Sequence, residues 1–137
     1  MQKIDIFNHI WPDRFYRKLK ETTGRMTDIT RRSEGVPMMT DLDERFRVMD
    51  RFEDYSQVLS LASPPLEIVA TPDQQVELSR IGSEDMRALC ERYPERFPAY
   101  IASIPMGNVE AVLDGNLDGL VEAYLKWAAG GDGKGKK

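Results

Sequence analysis

Residues 56–74, SQVLSLASPPLEIVATPDQ, decide the fold class of this chain. Ser56–Ala62 is a short apolar-rich run that reads as a strand. Neither Pro64 nor Pro65 can donate to a sheet ladder, so Ser63-Pro64-Pro65-Leu66-Glu67 ends it. Thr71 then offers a cap, Pro72 sits at the first helical position and Gln74 occupies the reciprocal box position. A strand, a break and a capped helix form the opening half of a β/α repeat.

Outward toward the C-terminus, the helix keeps one inner face through Leu78, Ile81, Gly82, Met86, Leu89, Cys90 and Tyr93, and Pro94 stops it. Gly82 lies on that packed stripe, where its low helix propensity, about 1 kcal/mol below alanine, calls for close approach to a strand. Cys90 shares the stripe and reads as an inert core thiol. A third strand begins after Pro98 and is closed by Pro105. Beyond Asn108, the residues Val109, Val112, Leu113, Leu117, Leu120, Val121, Tyr124, Leu125 and Ala128 predict a fourth helix with one broad apolar face. Gly115 and Gly119 are expected on its other side.

Toward the N-terminus, Thr40 is the expected cap of a helix with Leu42, Phe46, Met49 and Phe52 inward and Arg45, Arg47, Asp50 and Arg51 largely elsewhere. Residues 23–39 show no persistent period and read as a loop carrying Arg25, Arg31 and Arg32. Asp13 to about Thr22 reads as a helix opened by Pro12, with Phe15 and Leu19 on one face. Lys3–Phe7 reads as the first strand.

The expectation is an α/β fold: a partial (β/α)8 TIM-barrel-like layer of about three parallel strands over residues 1–129, followed by a disordered Gly/Lys-rich tail, 130–137. A small autonomous flavodoxin-like layer is the competing arrangement, although such folds use more strands than this sequence offers. The 137 residues are roughly half of what a complete eight-stranded barrel requires. Two uncovered sheet edges call for a companion chain or a homo-oligomer.

Nineteen basic and 23 acidic residues leave a net charge of −4 and no bulk electrostatic reason to bind nucleic acid or an anionic membrane. No run is long enough to span a bilayer, and a signal-peptide core is missing from the first residues. The single Cys90 excludes an internal disulfide and fits a reducing, cytoplasmic setting. One histidine, His9, and one cysteine cannot build a conventional Cys/His zinc site. In β/α folds function gathers at the carboxyl ends of strands, where His9 sits. It is a candidate metal ligand or a turn-closing hydrogen bonder. Asp5 either orients His9 or accepts local backbone donors, and Trp11 and Asn108 are further pocket neighbours.

The segments Ile4-Asp5-Ile6-Phe7-Asn8-His9-Ile10-Trp11-Pro12, Ser63-Pro64-Pro65-Leu66-Glu67, and Arg92-Tyr93-Pro94-Glu95-Arg96-Phe97-Pro98-Ala99-Tyr100 through Ser103-Ile104-Pro105-Met106 stand in a specific order and spacing. In them the chain resembles the N-terminal part of the amidohydrolase-related family that contains aminocarboxymuconate-semialdehyde decarboxylase and γ-resorcylate-type decarboxylases. The resemblance covers roughly residues 3–106. It implies a metal-dependent barrel, using zinc or manganese, that decarboxylates or hydrolyses a small carboxylated aromatic or unsaturated acid. It also implies a first-strand ligand pair at positions 7 and 9, His or Glu followed by His. Here position 7 is Phe and position 9 is His, so the pair is halved. The family's remaining ligands are histidines of middle strands and a late aspartate, and this chain has no second histidine. Asp114 and Asp118 fall in a helical pattern and do not replace the late aspartate. No catalytic residue is assigned, and His9 alone is carried over as a metal ligand. A non-catalytic interaction or scaffold protein derived from the same fold is the alternative.

Overall fold

The computed structural model describes residues 1–23, 28–62 and 64–103, together with Gly115, Leu117, Asp118, Val121, Glu122 and Leu125. The chain divides into two compact units, Met1–Pro105 and Met106–Lys137.

The first unit runs β1 (Lys3–Asp5), α1 (Asp13–Thr22), α2 (Asp28–Glu34), a 3₁₀ turn (Pro37–Met39), α3 (Leu42–Met49), β2 (Tyr55–Leu59), α4 (Leu66–Val69), α5 (Pro72–Arg92) and β3 (Ala99–Tyr100). The three strands form one parallel sheet in the order β1-β2-β3. Sequential neighbours therefore pair, each strand being returned to the sheet by helices. Beyond the ladder proper, Ile10 pairs with Leu61, and Gln57 N–H donates to Arg96 O at 2.9 Å.

Two groups of buried side chains hold the layers. Ile10, Met49, Leu59, Met86 and Phe97 form one, and Trp11, Phe15, Leu19, Ala62 and Leu78 the other. Each fully buried leucine, phenylalanine or methionine contributes about 1.5–3 kcal/mol. Leu61 packs against both groups and faces Gly82 on α5, so the glycine lies at the close helix–strand approach expected for it. The start of α5 is also as expected: the Gln74 side-chain oxygen accepts the Thr71 N–H at 3.0 Å. Half-buried Cys90 packs against the first group, and burial pushes its thiol pKa up, which disfavours the thiolate.

Several expectations are corrected. Residues 28–34 and 37–39 are helical instead of loop; a seven-residue helix is too short to show a period, and α2 is tied to α1 where Tyr16 Oη donates to Glu34. Asp41, not Thr40, caps α3, its carboxylate accepting the N–H groups of Asp43 at 2.9 Å and Glu44 at 3.1 Å. Helix α3 stops at Met49, so Phe52 falls outside the inner face and is exposed, while Asp54 adopts a left-handed φ of 55° to turn into β2. Arg45, assigned to the polar side, is 2% exposed.

The first strand is also shorter than the Lys3–Phe7 run, and Leu61 and Ala62 follow β2 outside its regular ladder. In the second unit Gly115 occupies a turn with φ 90°, a conformation that favours glycine, so a helix does not continue through it. Asp118, Val121, Glu122 and Leu125 are helical, and Leu117, Val121 and Leu125 are exposed. Asn108, Asp114, Gly119 and the 130–137 tail lie outside the described residues. No described helix is long and apolar enough to cross a membrane.

Candidate functional site

Six residues of the first strand segment, Asp5 to Ile10, span the same stretch of sheet as five of the second, Gln57 to Leu61. One residue too many on one side of a pairing is a bulge. It interrupts the ladder and re-aims the side chains around it. Asn8 and His9 lie in this segment at the carboxyl end of β1.

Side chains take over the interrupted backbone bonding. Asn8 Nδ2 donates to Asp5 O at 3.2 Å and Val58 O at 2.7 Å, and the Asp5 carboxylate accepts the Phe7 N–H at 2.9 Å. The Ser60 hydroxyl donates to Asn8 O at 2.6 Å. That bond uses the hydroxyl's only proton, so the 2.8 Å contact between Ser60 Oγ and His9 Nδ1 requires the proton to lie on Nδ1. The exposed imidazole thus keeps Nε2 as the lone-pair nitrogen. A histidine whose first nitrogen is fixed by a hydrogen bond while the second faces outward is organised as a ligand or proton acceptor.

Beside His9 lies a cavity of about 290 Å³, with Asp5, Phe7, Arg45, Tyr55 and Gln57 among its lining and Met38, Val48 and Phe52 supplying apolar surface. The Arg45 guanidinium is fixed by neutral oxygens: Nε to Met38 O at 3.0 Å, Nη1 to Gln57 Oε1 at 2.7 Å and to Asn8 Oδ1 at 3.2 Å, and Nη2 to His9 O at 2.5 Å. Burial holds its pKa down to about 10 against the favourable fields of Tyr55 and Asp5. Gln57 Nε2 donates to Tyr55 Oη at 3.1 Å, and Tyr55 Oη donates to Asp5 Oδ2 at 2.9 Å. A directed chain of hydrogen bonds therefore joins the buried cation to a carboxylate. Burial raises the Tyr55 pKa, the Gln57 bond opposes that rise, and the Asp5 bond adds to it.

Of the two roles open to Asp5, the structure selects acceptance of a local backbone donor; Ser60 is the partner of His9. Trp11 is fully buried, stacked on Tyr16 at 5.0 Å between ring centroids, and its Nε1 donates to Ala62 O at 3.4 Å. It belongs to the core. Phe7 is 83% exposed and meets the His9 ring edge-on at 5.1 Å. Sequence reasoning missed Ser60 and Arg45. Arg45 was findable, because it occupies the i+3 position of the inward stripe Leu42, Arg45, Phe46, Met49.

Among the described residues no three His, Cys, Asp or Glu side chains gather to hold a metal ion. Scanned against protein-family models the sequence matches none, and a search of curated proteins returns no match.

Proposed function

We propose that this chain is a segment or subunit of a metal-dependent carbon–carbon lyase or hydrolase, built on a (β/α)8-type barrel and acting on a small carboxylated aromatic or unsaturated acid. The observation that carries this reading is the imidazole of His9 at the end of β1, its Nδ1 fixed by Ser60 and its Nε2 left with a free lone pair. The sequential parallel order of the strands suits a barrel segment. The fixed Arg45 cation beside a cavity of about 290 Å³ suits a small carboxylate.

The donor set does not complete a metal site. One imidazole falls short of the three protein ligands of a catalytic zinc site, and Phe7 has no ligand atom. No chemical step is therefore assigned through a metal. In this reading a companion chain supplies the missing ligands and covers the edge of β1, where Ile4 and Ile6 are exposed.

The test is metal analysis of the protein purified with its natural partners, paired with decarboxylase and hydrolase assays on the assembly and on the isolated chain. Stoichiometric zinc or manganese and activity confined to the assembly are expected. An active isolated monomer would overturn the reading. One observation favours a non-catalytic interaction protein instead, namely the exposed Phe7 ring packed against His9. An assembly of normal stoichiometry that holds no metal would decide for it.

A further inference from the structure

We infer that Arg45 is the positioning residue of this site, holding the β1 bulge in the one arrangement that presents His9 with its proton on Nδ1. The inference rests on the reading of His9 as a functional imidazole and assigns the group that sets it.

The bulge leaves the carbonyls of Asp5, Asn8, His9 and Val58 to side-chain donors. Arg45 governs two of these arrangements at once. Its Nη2 takes the His9 carbonyl directly. Its Nη1 binds Asn8 Oδ1, which turns the Asn8 amide so that Nδ2 faces the Asp5 and Val58 carbonyls. Its Nε, on Met38 O, anchors both to the 3₁₀ turn.

Only a planar fork reaches these acceptors together. A lysine ammonium at the same place is a single point on a flexible stem. Burying a charge whose described partners are all neutral oxygens costs stability, with Asp5 reached only through Gln57 and Tyr55. An arrangement of that cost is accounted for by the backbone it fixes. Ser60 acts downstream of it, since its hydroxyl can commit to Asn8 O only while the bulge keeps that carbonyl in place.

The chain's single histidine makes the test direct. Proton–nitrogen correlation spectra of the imidazole report the His9 tautomer with no metal present. Wild-type chain is expected to show the Nδ1–H form in excess. Arg45→Lys, shown to be folded by circular dichroism, should give a mixture of tautomers, and in the natural assembly it should bind added Zn2+ about tenfold or more weakly. Arg45→Lys that folds, melts lower and keeps the wild-type tautomer would make Arg45 merely structural and overturn the inference. Should R45K not fold, Asn8→Ala cuts the same bulge from a half-buried position and is read the same way. Failure of the metal reading looks different: wild-type chain with the Nδ1–H tautomer, lost in R45K, whose assembly nevertheless binds no Zn2+.

Discussion

A methyl group added at Gly82 would lie 2.6 Å from Cδ1 and 3.1 Å from Cδ2 of Leu61, and 3.1 Å from Cδ2 of Phe15. Gly82→Ala gains about 1 kcal/mol of helix propensity but overpacks the seam at about 1–3 kcal/mol. The fully buried Phe15 ring cannot retreat, and Leu61 is wedged between two buried clusters. A net loss of about 1 kcal/mol is expected in urea unfolding. Leu61→Ala should relieve the overlap, so the double variant should be more stable than the sum of the single losses implies.

Tyr16 ties α1 to α2 through Glu34, and its phenol pKa is pushed up to about 12, first by burial and then by the Glu34 hydrogen bond and charge. The folded chain thus favours the protonated phenol. Its contribution is complete below pH 10, the ordinary value, and is lost as pH rises through about 12. Ultraviolet titration of tyrosinate should show Tyr16 ionising late, with Tyr55, whose pKa is also raised, as the other delayed phenol. Glu34→Gln should lower the Tyr16 transition without restoring the ordinary value, because burial remains.

His9 is exposed, so His9→Ala should cost no more than about 1 kcal/mol of stability, the worth of its Ser60 bond. Zn2+ affinity of the natural assembly should fall at least about tenfold. Unchanged affinity, measured by calorimetry, would remove His9 from the ligand set.

Phe7→His would place a second imidazole two residues from His9. Phe7 is largely exposed, so little packing is lost. The isolated variant should bind Zn2+ weakly, since two ligands leave the remaining coordination positions to water. In the assembly it should bind substantially more tightly than wild type. Equal weakness in both states would favour the interaction protein.

Where local chemistry decides structure, the sequence is a good guide. Thr71-Pro72 with Gln74 marks the start of α5, whereas β2 stops at Leu59, before the prolines at 64 and 65 are reached. Alternating strands and helices predict the parallel sheet. Helix α2 escapes because seven residues are less than two full periods and its tie to Tyr16 is a tertiary bond. Local pattern announces His9 as a site residue and places Arg45 on the inward stripe of α3, but does not say what Arg45 binds. Ser60 and Arg45 enter through contacts 51 and 36 residues apart, and those depend on a bulge that no local pattern announces.

The hydrogen-bond chain from Arg45 to Asp5 also bears on how the two strands find their alignment. Strand β1 has three residues, too few for an apolar pattern to distinguish one parallel pairing from another shifted by two, which leaves every side chain on its own face. The observed pairing sets Lys3 opposite Tyr55 and Asp5 opposite Gln57. Shifted by two in one direction, Asp5 would stand opposite the fully buried Leu59, its carboxylate stripped of the Tyr55 hydroxyl. Shifted in the other, the His9 carbonyl and the Asn8 amide would leave the reach of Arg45. Either slip strands a buried charge at a cost of several kcal/mol. The polar chain thus acts as a key, rejecting misaligned pairings that backbone hydrogen bonding alone would accept.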